Sequence, residues 1–473
     1  MASLISNTAT LSVELPTPIA SGFGSGSDVG SYANNVWAPG RDASGLVNAA
    51  SWATVPSGRW VRVVGSNMSA LIPTIQASIA GWTDPQSPDW VNCYLTSWGG
   101  VAMDYQGGHR LWYCTGGHGA GSNNGIYRFD AFKMKWAVES LPDNLADPVN
   151  AGIYDNGFSP SVVAQVQAEY AAGTLKEENG VWADQYPSGK LVHTHTYNNM
   201  VHAPNLNRLM FMRYRFWSFN LATGQWDYKK VSDWGVDMPS RLAHGFQPTS
   251  AAGVKYALGR DSEHGIAIWD ETANKYFHAS YGSSGIGGTI TFDWNSKSFA
   301  YSTYDPAVGV TQANKMNAAY PETGSVRVGR KLVTVTSGVA PPNSYARLPS
   351  YSVFDLDTNS LTTGVVQGVS TSDFSRQPSA YDGTGLCYIG SINRYWVWMP
   401  GPAWASGGQA AVGDMLCWEL NPTTTPWTMT QKTFTGDAPQ PFPFMGSKQR
   451  WMSAINAVVH VEDGGSMMYV YKL

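Results

Sequence analysis

The chain has 473 residues and a formal net charge of −4, and only 14% of its residues are charged, against 50 Gly, 20 Trp and 24 Tyr. That balance excludes a disordered or mainly helical chain and points to an all-β, turn-rich one. Few Lys and Arg cluster, so neither nucleic acid nor an anionic membrane is expected as a partner. The cysteines Cys93, Cys114, Cys387 and Cys417 lie in apolar or aromatic stretches without C-x-x-C spacing, and they read as small buried hydrophobes. MASLISNTATLSVEL lacks a basic segment followed by an apolar run, and no window reaches the apolar length of a membrane span, so a soluble chain without a secretion signal is expected.

In chain order, residues 1–43 come first, rich in Ser, Gly, Ala, Thr and Asn and including SGFGSGSDVGSY. They are too polar to build a core alone and read as an arm that orders against the body or a partner. Residues 44–473 then repeat one phrase, an apolar strand, a tight polar turn and an aromatic or apolar residue. It reads YRFDAFKMKW to Trp136, WSFNLATGQW to Trp226, AIWDETANKYF to Phe277, TFDWNSKSFAY to Tyr301, SVFDLDTNSL to Leu361 and CWELNPTTTPW to Trp427. Copies of one strand-turn-strand unit at intervals of tens of residues imply small antiparallel sheets stacked on each other, and radial stacking makes a β-propeller.

The predicted blades run over 90–136, 193–226, 243–301, 316–361 and 378–427. The third holds two phrases and reads as one blade with a long hairpin or as one and a half. The last unit, WMSAINAVVHVEDGGSMMYVYKL, ends before its aromatic, and SGLVNAASWATVPSGRWV near the start supplies Trp52 in a matching place. A ring closed by pairing an N-terminal strand near Trp52 with the strand of Tyr469 and Tyr471 leaves no exposed sheet edge. Six four-stranded blades are expected, with seven as the alternative. Residues 137–192 form an insertion whose SPSVVAQVQAEYAAG predicts a helix: Ser159 as cap, Pro160 in the first turn, Val162, Val163, Val166 and Tyr170 on one face, Gly173 as stop.

Gly116-Gly117 followed by His118, Tyr127 and Trp136, His195-Thr196-Tyr197 with a later Trp226, and the closing NAVVHV and MYVYKL together resemble the kelch-like or galactose-oxidase-like β-propellers. The arm followed by a propeller is also similar to virion proteins of tailed bacteriophages. The first resemblance implies a possible copper site of tyrosines, histidines and a crosslinked cysteine. Cys93-Tyr94 and Tyr113-Cys114 do not match it, since strand neighbours point to opposite faces.

His193 and His195 have the spacing of a chelating pair, with His202, His118 or His244 as third ligand, but no carboxylate stands at ligand spacing nearby. They read as loop or strand-end histidines, and no metal or other cofactor is expected. Asp261 with Glu263 and Asp270 with Glu271 are the closest acidic pairs, and both read as solvated turn residues. GFGSGSDVG and GSSGIGGT lack the context of phosphate loops. Among many aromatics, Trp182 and Trp404 are the loop rings best placed to stack on a sugar, and with His193 and His195 they form the candidate ligand-binding set.

The expected role is a non-enzymatic structural or receptor-binding part of a bacteriophage particle, at tail or capsid surface, present in several copies. The arm would dock on other virion proteins and the loop face would meet a neighbour or a host glycan. A carbohydrate-active enzyme on the same scaffold is the alternative.

Overall fold

The computed structural model describes residues 22–79, 100–114, 125–142, 198–213, 215–226, 266–281, 287–303, 324–336, 349–370, 385–400, 415–439, 448–461 and 465–473. Among these, five sheets have four antiparallel strands each. Blade 1 comprises Val101–Met103, Arg110–Cys114, Ile126–Asp130 and Lys135–Ser140; blade 2, Val201–Ala203, Arg208–Arg213, Arg215–Asn220 and Gln225–Trp226. Blade 3 comprises Ile266–Asp270, Lys275–Tyr281, Gly287–Asp293 and Ser298–Thr303; blade 4, Gly324–Val328, Lys331–Thr336, Ser350–Asp355 and Ser360–Val365. Blade 5 comprises Gly385–Ile389, Arg394–Pro400, Met415–Asn421 and Thr428–Gln431.

The repeated phrase has a specific cause. In each copy an Asp or Asn ends one strand, and its side-chain oxygen accepts hydrogen bonds from backbone N–H groups two or three residues on. Asp130 does so for Phe132, Asn220 for Ala222 and Thr223, Asp270 for Thr272 and Ala273, Asp293 for Asn295 and Ser296, Asp355 for Asp357 and Thr358, and Asn421 for Thr423. These Asx turns satisfy backbone donors that the ladder leaves free, and so reverse the chain in place. Blade 3 carries two of them, after its first and its third strand, which makes its two phrases parts of one sheet.

The first strands lie innermost and pack side by side. Val101–Met103 packs on Val201–Ala203, which packs on Ile266–Asp270, while Gly324–Val328 packs on Gly385–Ile389 and that strand on Gln449–Met452. Blades 3 and 4 join through a shared apolar cluster in which the Phe277 and Phe354 rings stack at 4.6 Å, and through the ion pair of Arg330 with Asp270. The result is an all-β propeller with short helices.

Among the described residues the expected six or seven four-stranded blades are corrected to five. The two ends of the chain join instead in a seven-stranded sheet, ordered Ser31–Ala33, Val36–Ala38, Arg59–Val63, Tyr469–Lys472, Ala457–His460, Gln449–Met452, with Thr435–Gly436 also paired to Arg59–Val63. Tyr469 stands opposite Arg62 and Tyr471 opposite Trp60. The aromatic on the closing strand is therefore Trp60 rather than Trp52. Trp60 is fully buried, its ring 5.3 Å from Tyr471, 5.7 Å from Phe434 and 6.1 Å from Trp396.

Trp52 lies in helix α1 (Ala49–Ala53). Alanines flank it and favour a helix, whereas Arg59–Val63 alternates valine with other residues as a strand requires. Trp52 still serves the closure, because Lys472 Nζ donates to its carbonyl at 3.0 Å and to that of Val55 at 3.2 Å. Of the segment 1–43, residues 22–43 lie on the body: Trp37 is fully buried and stands opposite Val63 in a parallel pairing. A second helix, α2 (Ile72–Ser78), follows the closing strand. Within 137–192, residues 137–140 complete blade 1, and the predicted helix from Ser159 to Gly173 lies outside the described residues.

Candidate functional site at the propeller axis

The turns that follow the innermost strands gather at one end of the axis. In blade 1, Asp104 Oδ1 accepts the Gly107 N–H at 2.8 Å and the Asp104 carbonyl accepts that of Gly108 at 2.8 Å, which folds the turn and sets Tyr105 and Gln106 at the axis. The Asx turn of blade 3 sets Glu271 there. The strands Gly324–Val328 and Gln449–Met452 supply Arg327 and Arg450. Together with neighbours including Trp451 and Ser453, these residues enclose a cavity of about 320 Å³. Adjoining it is a cavity of about 30 Å³ lined by Asn198, Met200 and His202 among others; Met103, Tyr105, Val326, Arg327 and Arg450 border both.

Charge is unevenly distributed here. Arg327 pairs with Glu271, donates to the Trp269 carbonyl at 3.1 Å, and lies 5.7 Å from the Tyr105 ring centroid. Arg450 is 5% exposed, and burial pulls its pKa below the usual arginine range, with Tyr105 and Cys387 opposing that shift. His202 lies in the inner wall, its ring 4.4 Å from Trp112 and its Nδ1 3.7 Å from Asp104 Oδ1. Burial holds His202 down to about 4 despite the Asp104 charge, so the imidazole is neutral at physiological pH. Cys387, bordering the larger cavity, is pushed up to about 12 by burial and stays a thiol.

Of the residues singled out from sequence, Trp182, His193, His195 and Trp404 lie outside the described residues, as do His118, His244, Asp261, Glu263 and Cys93. His202 is on the axis beside Asp104. Among the described residues no group of three or more His, Cys, Asp or Glu is arranged to hold a metal ion. Cys114, Cys387 and Cys417 are buried cysteines. The reading of Asp270 and Glu271 as solvated is corrected: Asp270 is 7% exposed and held by Arg330, and Glu271 is held by Arg327. Both acids close the junction of blades 3 and 4, because the turn carrying them faces the neighbouring blade.

Sequence reasoning missed Tyr105, Arg327 and Arg450. The available signal was a lone arginine within each of two short innermost strands, GSVRV and QRWM, where apolar neighbours predict burial.

No family model matches this chain, and no curated protein does. Among solved structures, the fold is similar to the β-propeller domain of the Trilobed protease from Pyrococcus furiosus, with 9% identity, a TM-score of 0.32, and 79% of this chain and 81% of that one covered. It is also similar to Bacteroides ovatus Xyloglucan PUL GH43B, at 9% identity and a TM-score of 0.33 over 70% of this chain and 53% of that one. TolB from Acinetobacter baumannii aligns at 7% identity and a TM-score of 0.27 over 79% and 78%. The architecture itself rests on the sheet order and the axis described above.

Proposed function

We propose that this chain is a non-enzymatic binding component of a bacteriophage particle, at tail or capsid surface, anchored through residues 1–43 and recognising a host-surface glycan at the axial cavity. The observation that carries the binding role is the cavity itself. At about 320 Å³ it falls at the small end of ligand pockets, and it combines an aromatic wall at Tyr105 with guanidinium and carboxylate groups converging from different sheets. Among its described lining residues Glu271 is the single carboxylate, and Arg327 engages it. Two free carboxylates facing a scissile bond are what glycoside cleavage requires. The particle setting rests on the Ser/Gly-rich N-terminal composition and the likeness to virion proteins.

A carbohydrate-active enzyme is the second reading, favoured by one observation: Asp104 and Glu271 both act on the His202 imidazole, so two acids do approach the axis. One experiment separates the two. The full chain is incubated with a panel of bacterial surface polysaccharides, and retention and released reducing ends are both measured. Retention without release is expected, weakened about tenfold in Tyr105→Ala. Release abolished in Glu271→Gln would establish the enzyme, and absence of retention would overturn glycan binding. The particle assignment is checked by immunodetection on purified virions; loss of incorporation is expected on deleting residues 1–21, a cut that spares the packed segment 22–43.

A further inference from the structure

Arg450 lies on the innermost strand of the closing sheet and borders both axial cavities. It is 5% exposed, yet its described contacts leave its charge without a counterion. One terminal nitrogen donates to the Gln449 carbonyl at 2.9 Å, and its Nε has no acceptor among the described residues. Arg327, the other guanidinium of the larger cavity, is committed to Glu271 and to the Trp269 carbonyl. Among the described lining residues two guanidiniums stand against one carboxylate, an excess of one positive charge, and the excess sits at Arg450.

A buried guanidinium needs a partner for its charge and for its fork of N–H donors, and a planar carboxylate satisfies both at once. We infer that the ligand of this cavity is an acidic sugar, a uronate whose carboxylate docks on Arg450 while its ring lies against Tyr105. This rests on the glycan reading above and narrows it to an anionic residue. The lowered pKa of Arg450 agrees, since it records how poorly the cavity solvates that charge without an anion.

The test is calorimetric titration of the full chain with D-glucuronate, D-glucose and inorganic sulfate, on the unaltered protein, Arg450→Gln and Arg450→Lys. The unaltered protein is expected to bind glucuronate at least about tenfold more tightly than glucose, as one charge-assisted contact provides. Arg450→Gln should abolish that preference, and Arg450→Lys should keep part of it. Equal binding of the two sugars by the unaltered protein overturns the acidic-sugar inference and leaves glycan binding standing. Sulfate binding that depends on Arg450, with neither sugar bound, overturns the glycan reading and reduces the inference to an anion site. If nothing binds, both fall. The comparison on the unaltered protein decides the matter even if a variant fails to fold.

Discussion

Lowering the pH to about 5 should cost this fold about 4 kcal/mol through two buried histidines alone, His460 and His202. His460 is 1% exposed, and neither ring nitrogen has a hydrogen-bond partner among the described residues. Burial, reinforced by the nearby Lys448 charge, holds it down to about 3, and His202 is held to about 4. Unfolded, each takes a proton near its ordinary value of 6.5, so between 6.5 and the folded value the unfolded chain binds more protons. Stability is therefore complete above 6.5 and falls as the pH drops through that window. At about pH 5 each unfolded imidazole is almost fully charged while its folded counterpart is neutral, which shifts the balance by about 2 kcal/mol per residue.

The carboxylates held below their usual range, Asp270, Asp293 and Asp355, also lose stabilising interactions on acidification, but only below about pH 4, so they titrate in a separate window. The assay is denaturant unfolding followed by tryptophan fluorescence at about pH 7.5 and about pH 5, for the unaltered chain and His460→Leu. Taking the difference between the two pH values cancels the packing change of the substitution. The variant should lose about 2 kcal/mol less than the parent over that interval. An equal loss in both would refute the claim that His460 is buried and neutral.

Two further perturbations probe the closure of the ring. Gly108 has φ +64°, and a β-carbon there would meet Ser453 Oγ at 1.9 Å and the Ala454 nitrogen at 3.1 Å, next to the hydrogen bond from Ala454 N–H to the Gly108 carbonyl. Gly108→Ala should cost about 1–3 kcal/mol, partly recovered by adding Ser453→Ala; unchanged unfolding would show that blade 1 and the closing sheet do not meet there. Trp60→Ala should lose about 3–5 kcal/mol, because it empties a fully enclosed site among aromatics. On the same strand, Arg62→Ala removes an exposed ion pair with Asp437 and should lose less than about 1 kcal/mol; comparable losses in denaturant unfolding would contradict the placement of this strand.

The hairpins were legible because their cause is local. An Asp or Asn that caps its own turn, flanked by alternating apolar residues, marks each phrase wherever it occurs. The inner hairpins carry a quieter signal of the same kind: PNLN, GSIN and SAIN each place an asparagine in the left-handed region, at Asn207, Asn393 and Asn456. Sheet membership was less legible. Val36–Ala38 and Arg59–Val63 are short and unremarkable as segments; Arg59–Val63 becomes a strand of the closing sheet through Tyr469–Lys472 near the other end of the chain, and Val36–Ala38 joins by pairing with Arg59–Val63. That is why the number of blades and the place of Trp52 were misread.

By itself, then, the sequence determined the all-β class, the repeating hairpins and the meeting of the two ends, all of which follow from turn chemistry and two-residue alternation acting over a few neighbours. Only the tertiary structure decided which strand completes the closing sheet and which side chains face the axis. Tyr105, Glu271, Arg327 and Arg450 come from four different sheets, and each looks like an ordinary turn or strand residue in its own segment. Their convergence depends on the radial packing of the sheets, which brings together groups that no spacing along the chain relates.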